Sequence, residues 1–221
     1  GGTFSVGSMR ADRLTAEIAK LLKETGVEMV SLAPEAGSQR LRDLIGKGIT
    51  ERHLFGAVEA LIGQGIVNLR LYFMVGLPTE GEEDIEAIID LTRRIKHHAV
   101  KITGGKKKFR RITLSINQFI PKAATPFQWL PLADTNVVRR RIRKISQALG
   151  RERSVTVTHD LPKWNYIQAL LSLGDRRVSK LLLSAHQKKG NWAQAFKESH
   201  INPDFYISRE KNAGEILPWD F

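Results

Sequence analysis

The sequence predicts an α/β protein that folds as a partial, open βα barrel with a C-terminal helical appendage. Short β-rich runs alternate with amphipathic helical patterns, which favours a parallel sheet with right-handed crossovers. The runs alternate apolar and polar side chains, whereas strands covered on both faces are continuously apolar. After about Thr158 only short helical patterns follow. We therefore expect two domains, residues 1–158 and residues 159–221.

Five strands are predicted, and their polar faces bear on the shape of the barrel. Residues 67–73, 112–117 and 154–158 alternate strictly, so each strand has one apolar face for the helices and one polar face. Because unpaired polar groups are costly to bury, the polar faces must meet water, a ligand or a partner. They indicate a cavity that holds a ligand, with an open sheet as the alternative. The predicted strands are Thr3–Val6, Glu28–Ala33, Val67–Val75, Arg111–Phe119 and Ser154–Thr158.

Four amphipathic helices are predicted between the strands. Thr15 is placed to cap the first, which Gly26 ends, and Thr50 to cap the second, which Gly65 ends. The third helix is predicted from its acidic start and basic end, an arrangement that the helix dipole favours. The fourth helix is predicted from its apolar stripe. These two cover residues 80–96 and 138–149. Three shorter helices are predicted in the appendage, over residues 164–173, 175–188 and 191–199.

Composition narrows the possible chemistry. The 221 residues contain no cysteine, so this chain alone can form no disulfide and offer no thiolate to a nucleophilic site, an iron–sulfur cluster or a zinc ion. The net charge is +12, but two runs, Lys106–Arg111 and Arg139–Lys144, each hold five basic residues. These runs indicate either a solvated charged surface or a contact with RNA, which would depend steeply on salt.

The sequence also bears on location and completeness. No apolar run approaches the roughly 20 residues that a membrane-spanning helix needs, and no signal peptide opens the chain. We therefore expect a cytoplasmic protein with no membrane partner. The chain starts without an initiator methionine, in what reads as a strand. We expect a fragment whose upstream half lies outside this sequence.

Three segments that follow predicted strands carry candidate binding residues. Gly76 in the turn FMVGLPTE allows a close approach of the backbone to a ligand. Glu35 in the turn APEAGS can accept hydrogen bonds from ribose hydroxyls or pair with an ammonium group. Arg10, at a third strand end, suits a carboxylate. The alternatives are an ordinary βα turn, a helix-capping turn, and an ion pair between Arg10 and Glu35.

Further candidates lie on or beside the predicted strands. Arg70, Tyr72 and Asn117 on the polar faces suggest polar recognition of a substrate. His159 follows the last strand and is either an acid or base on the substrate side or a turn residue. The pair His97–His98 ends a helix and is expected to serve its dipole rather than a metal, because no typical ligand spacing is present.

Together these segments resemble the radical S-adenosylmethionine (radical SAM) superfamily over roughly residues 3–130. Four segments carry the resemblance, and they have the same order and spacing as in that family. They are SMRAD at Ser8–Asp12, APEAGSQRLRDLIGKGIT at Ala33–Thr50, YFMVGLPTE at Tyr72–Glu80 and NQFIPKAATPF at Asn117–Phe127. Two later segments resemble a subgroup whose members carry an N-terminal cobalamin-binding domain. They are Ser172–Gly190 and Glu215–Phe221.

The resemblance implies the C-terminal part of an open (βα)₆ barrel of the TIM-like kind. In such a protein a 4Fe–4S cluster reduces SAM, and the resulting 5′-deoxyadenosyl radical takes a hydrogen atom from a substrate in the lumen. The polar strand faces predicted above agree with a cavity that holds a substrate. Cobalamin would belong to an upstream domain.

The resemblance also assigns residues to SAM. Glu35 and Ser8 would face its ribose or amino-acid end, and Arg10 its carboxylate. The turn at residues 76–78 would line the adenosine, and the backbone at residues 118–120 would approach the adenine. The full set of predicted cofactor contacts is Ser8, Arg10, Glu35, Ser38, Gly76, Leu77, Pro78, Gln118, Phe119 and Ile120.

The sequence departs from the family pattern because it has no CxxxCxxC cluster loop. We interpret the chain as a downstream part of a longer enzyme, in which its partner is the missing N-terminal half of the same polypeptide. We expect the chain to carry part of the SAM site and to bind no iron. The leading function is a radical SAM oxidoreductase or transferase of unknown substrate. The alternatives are an RNA-modifying radical SAM enzyme and a non-catalytic fragment that binds RNA or protein. The β-domain that ends tRNA methylthiotransferases is not evident, which counts against RNA modification.

Overall fold

A computed structural model describes residues 7–105 and 108–220. Four strands form one parallel sheet in the order β1-β2-β3-β4. The strands are β1 Met29–Glu35, β2 Asn68–Val75, β3 Arg111–Gln118 and β4 Val155–His159. The helices are α1 Ala16–Glu24, α2 Gln39–Leu44, α3 Glu51–Gly63, α4 Glu82–Ile102, α5 Thr135–Leu149, α6 Pro162–Leu173, α7 Val178–Gln187, α8 Trp192–Glu198 and α9 Asp204–Ile207.

The sheet confirms the predicted α/β class and four of the predicted strands. β1 runs two residues further than predicted, through a register shift between Leu32 and Glu35. The predicted strand Thr3–Val6 lies outside the described residues, but Met9 forms a parallel bridge with Leu32, and its N–H donates to the Ser31 carbonyl at 2.8 Å. The sheet is consistent with part of a TIM-like barrel. Its curvature into an open barrel stays a prediction.

The helix boundaries follow the predicted caps. Thr15 Oγ1 accepts a hydrogen bond from the Ile18 N–H at the start of α1, and Thr50 Oγ1 accepts one from the His53 N–H at the start of α3. Gly26 and Gly65, at φ 80° and 77°, turn the chain out of α1 and α3. Within the described ranges, none of the helices is long and apolar enough to cross a membrane.

The strands have the two unlike faces that the alternation predicts. In β2 the apolar residues Leu69, Leu71 and Phe73 are completely buried, while Arg70 and Tyr72 on the other face are only half-buried. Helix α4 buries Ile85, Ile88, Ile89 and Ile95 in the same hydrophobic core. The apolar faces therefore build the core, and the polar faces remain partly accessible.

The chain divides into two compact units, each built from separate stretches. The first runs to Asn117 and takes in Val138–His159, and the second holds Gln118–Val137 and the residues from Asp160 onward. In the second unit, helices α6 to α9 surround their own core, which includes Leu170, Leu181 and Ile207. The predicted domains, residues 1–158 and 159–221, stay a prediction.

Candidate functional site

Two of the predicted motifs meet where β1 and β2 end, inside the first unit. Glu35, the last residue of β1, is the register partner of Phe73 on β2, and Gly76 directly follows β2. Because neighbouring parallel strands end on the same side of a sheet, the turns APEAGS and FMVGLPTE lie side by side. Ligands of open α/β sheets bind at this end of the strands.

Glu35 belongs to a small polar cluster with Lys47 and Arg10. Its backbone adopts φ 67°, a left-handed conformation that is uncommon outside glycine. Lys47 Nζ lies 2.9 Å from Glu35 Oε1, and Arg10 Nη2 donates to the Lys47 carbonyl at 3.2 Å. The alternative ion pair between Arg10 and Glu35 does not form, because Arg10 pairs with Asp12 at 3.0 Å. The hydrogen bond from Arg10 lowers the pKa of Asp12.

The turn after β1 is held from inside by Arg42, which the sequence analysis missed. The Arg42 side chain is completely buried in the first unit, and its Nη1 donates to the carbonyls of Ala36 at 3.0 Å and Gly37 at 2.8 Å. Gly37 lies so close to α4 that an added Cβ would overlap the backbone of Ala87 and Ile88. The turn can therefore adopt this position only with glycine and with a buried donor behind it.

The two turns are linked through the helices that follow them, because each turn is hydrogen-bonded to the first residues of the helix after the other turn. Ser38 caps α2 by accepting from the Leu41 N–H at 3.3 Å, and its hydroxyl donates to Asp84 Oδ1 at 2.5 Å. Arg40 Nη1 donates to Thr79 Oγ1 at 2.9 Å, and Arg40 also pairs with Asp84. The helix-capping alternative for APEAGS is thus observed in Ser38. Its predicted contact with a cofactor stays a prediction.

Asp84 is the shared acceptor of this contact and is almost fully buried. Burial alone would raise the pKa of Asp84, but hydrogen bonds from Ser38, the Gly81 N–H and Arg40 outweigh it and hold the pKa below its ordinary value. The Asp84 carboxylate therefore stays charged in the neutral range and fixes both turns to the start of α4.

A second buried carboxylate supports the turn after β2. Gly76 adopts φ 88°, and its N–H donates to Glu80 Oε2 at 2.8 Å. Arg141 Nη1 donates to the same oxygen at 2.7 Å, and Arg141 Nη2 donates to the Glu80 carbonyl at 2.6 Å. Burial raises the pKa of Glu80. Arg141, from one of the two basic runs, is therefore part of the support for this turn rather than a solvated charge.

The predicted substrate residues lie on the polar strand faces. Arg70, Tyr72 and Asn117 are half-buried, and Arg70 Nε is buried with no hydrogen-bond partner among the described residues. Ser31, the register partner of Arg70 on β1, is also half-buried. His159 is the exposed last residue of β4. An unsatisfied buried donor is a feature that a bound polar ligand can explain.

The predicted adenine contacts belong to the second unit. Gln118 is buried there, with Nε2 donating to the Ala133 carbonyl at 3.1 Å and Oε1 accepting from Asn165 Nδ2 at 3.3 Å. Phe119 packs edge-to-face on Phe127, and Ile120 packs against the hydrophobic core of that unit.

The residues present do not fit an iron–sulfur cluster. Such clusters are held by cysteine thiolates, and this chain has no cysteine. Over residues 7–105 and 108–220, no group of three or more His, Cys, Asp or Glu side chains could hold a metal ion. For SAM the fit is better, since a carboxylate, a guanidinium and the two turns lie together at one end of the sheet.

Comparison with known proteins gives three relatives of similar sequence and one match to a family model. An uncharacterized protein of Methanocaldococcus jannaschii is 35% identical over 214 residues, which are 97% of this chain and 44% of that protein. An uncharacterized methyltransferase of Pyrococcus horikoshii is 33% identical over 88 residues, 40% of this chain and 19% of that protein. A second uncharacterized M. jannaschii protein is 23% identical over 153 residues, 69% of this chain and 29% of that protein. The chain thus spans less than half the length of each of these relatives. Residues 3–92 match the sequence model of the Radical SAM superfamily, and this match supports a radical SAM protein.

Proposed function

We propose that this chain is the C-terminal part of a radical SAM enzyme and carries part of its SAM and substrate site without the cluster loop. The observation that supports it is the parallel pairing of β1 and β2, whose following turns are linked through Ser38–Asp84 and Arg40–Thr79, so that Glu35, Ser38 and Gly76 lie at the same end of the sheet. When bound and reduced by one electron from a 4Fe–4S cluster, SAM would supply the radical that takes a hydrogen atom from the substrate. The cluster would come from residues outside this chain.

Each residue at the end of the sheet has a definite task in this proposal. The Glu35 carboxylate accepts hydrogen bonds from the ribose or the ammonium group of SAM, and Arg10 binds its carboxylate. Both groups are held by protein partners in this structure, Lys47 and Asp12, so SAM would share or replace these contacts. Gly76, Leu77 and Pro78 line the adenosine.

The reaction class is proposed as oxidation or group transfer on an unknown substrate. The P. horikoshii relative is described as a methyltransferase, which favours group transfer. Arg70, Tyr72 and Asn117, which are half-buried on the polar strand faces, would bind polar groups of the substrate. Membership of the subgroup with an upstream cobalamin-binding domain is part of the proposal and is carried by residues 172–190 and 215–221.

Saturation-transfer difference NMR with SAM tests the proposal on the 221-residue chain, because the method detects weak binding. We expect signals from the adenosine protons, and an affinity about tenfold lower in Glu35→Gln, which loses a charged acceptor. Glu59→Gln, an exposed acid on α3, is the matched control and should bind like the wild type. No saturation transfer to SAM in the wild-type chain would show that it carries no part of the SAM site.

A further inference from the structure

A groove of about 590 Å³ lies in the first unit along the C-terminal half of α4, the half that leads towards β3. Glu152, three residues before β4, also lines it, so the groove reaches towards the starts of these strands. Six of the lining residues are Phe55, Arg93, Lys96, His97, Lys101 and Glu152. It shares no residue with the turns that hold Glu35 and Gly76, and neither the proposed SAM site nor the proposed substrate residues use it.

The groove carries excess positive charge. Arg93 Nε lies 3.1 Å from Glu152 Oε1 and Lys96 Nζ lies 2.7 Å from Glu152 Oε2, so a single carboxylate is shared by two cations. Hydrogen bonds from Lys96 and Arg93 lower the pKa of Glu152, with Lys96 contributing most, and fix this arrangement at neutral pH. Lys101 adds a further, exposed charge. The groove is therefore a cationic surface whose side chains are already held in position.

The positive charge continues beyond the groove along the start of the strands. The Arg110 N–H donates to the Val67 carbonyl at 3.3 Å, which fixes the loop before β3 beside the start of β2. The Ile112 N–H donates to the Ser154 carbonyl at 2.8 Å, which places Arg111 and Arg153 on neighbouring strand starts. The side chains of Lys108, Arg110, Arg111, Arg151 and Arg153 are exposed. Together with the groove they form the basic band.

We propose that the basic band binds the phosphodiester backbone of a nucleic acid strand. A set of exposed cations on several neighbouring segments matches a ligand with repeated negative charge, and arginine, which dominates the band, binds phosphate through two hydrogen bonds. An open groove also admits a chain that passes through, whereas a small ligand is usually enclosed. The aromatic ring of Phe55 packs edge-to-face on His98, with 5.1 Å between the ring centroids, and is therefore not free to stack on a base. We therefore expect the band to contact the phosphates of the strand and not its bases.

Fluorescence anisotropy with a labelled single-stranded RNA and a DNA of the same sequence tests this proposal on the full chain. The test variant is Lys101→Gln/Arg110→Gln/Arg153→Gln. The matched control is Arg139→Gln/Arg140→Gln/Arg143→Gln, which removes three exposed charges from α5. Both variants lose the same net charge, and circular dichroism checks that both are folded.

We expect the wild-type chain to bind with a steep salt dependence, and the band variant to lose at least tenfold in affinity while the α5 variant changes less than threefold. The slope of log affinity against log salt should fall by about 0.7 for each lost phosphate contact. Tighter binding of RNA than of DNA would identify RNA as the natural strand. Equal binding of the two would show that the band recognises only the phosphate backbone that they share. Absence of binding, equal losses in the two variants, or equal competition by polyglutamate would each overturn the proposal.

Discussion

Gly37 shows how closely one residue can determine the geometry of the candidate site. Its Cα lies against the backbone of α4, so any side chain there would overlap Ala87 and Ile88. The neighbouring carbonyl groups are held by the buried Arg42. The position of Glu35, two residues earlier, depends on this contact because the turn cannot move away from α4 without losing those hydrogen bonds.

Gly37→Ala should therefore destabilise the chain by about 1–3 kcal/mol, the usual cost of forcing extra atoms into a packed region. Gly56→Ala is the matched control, since Gly56 lies exposed within α3 with open space around it. That substitution should stabilise by about 0.5–1 kcal/mol, because alanine favours the helix. Urea unfolding followed by circular dichroism measures both. Equal effects of the two substitutions would show that the contact with α4 is not tight.

At the residue scale, the sequence predicted where the candidate binding groups lie along the chain but not which residues they pair with. Glu35, Ser38 and Gly76 were recognisable because they follow predicted strands within known motifs. The pairing of Arg10 with Asp12, and of Glu35 with Lys47, depends on the path of the chain between the strands. Arg42 gave no signal, because a charged residue in a short polar helix normally points to solvent.

Among the elements, the contact between the starts of α2 and α4 couples the two turns. Asp84 near the start of α4 accepts hydrogen bonds from Ser38 and Arg40, which belong to the start of α2. Helix α4 thereby supplies the carboxylate, and the start of α2 supplies the hydroxyl and guanidinium donors that bind it. A change at this junction should affect both turns together, and not only the turn in which it is made.

Asp84→Asn should destabilise the chain by roughly 2 kcal/mol at neutral pH, because it removes a buried charged acceptor. The pKa of Asp84 is lower in the folded chain than in the unfolded one, so its stabilising effect is present above the unfolded pKa of about 3.9 and is lost as the pH falls through the folded value. Urea unfolding between about pH 5 and pH 2 should thus show a flatter acid limb for Asp84→Asn. Glu28→Gln, at an exposed site before β1, should keep the wild-type pH dependence.

The regular elements were predictable for the same physical reasons that stabilise them. Alternating side chains identified β2, β3 and β4 to within one residue at their starts, and threonine caps identified α1 and α3. Helix α2 was missed because its six residues are too short to show a periodic pattern. The register shift in β1 depends on contacts with β2 and is not visible in the sequence of β1 alone.

For the whole molecule, the lack of cysteine leads to a direct prediction. Anaerobic reconstitution with iron and sulfide should leave no iron bound to the chain, because it offers no thiolate. Iron and acid-labile sulfide analysis after desalting measures this, with a cysteine-ligated 4Fe–4S protein reconstituted in parallel as the control. A stoichiometric cluster on this chain would contradict the interpretation that the cluster loop lies elsewhere.

The distribution of charge over the molecule was only partly predictable. The sequence located the basic runs, yet Arg141 and Lys144 from one of them form ion pairs with Glu80, Glu82 and Glu86. The basic band arises from α4 and from the loops before β3 and β4, which are far apart in the sequence. Only the parallel arrangement of the strands brings these charges to one end of the first unit.

The interleaved composition of the two units has a consequence for synthesis on the ribosome. Residues 118–134 are made before α5 and β4, but the Leu132 N–H bonds to the carbonyl of Ile207, which is translated much later. At ordinary translation rates this early segment waits on the order of seconds for its partners. The second unit therefore cannot complete its fold until Ile207 has emerged, and a premature stop before that residue would also remove the partner of Leu132.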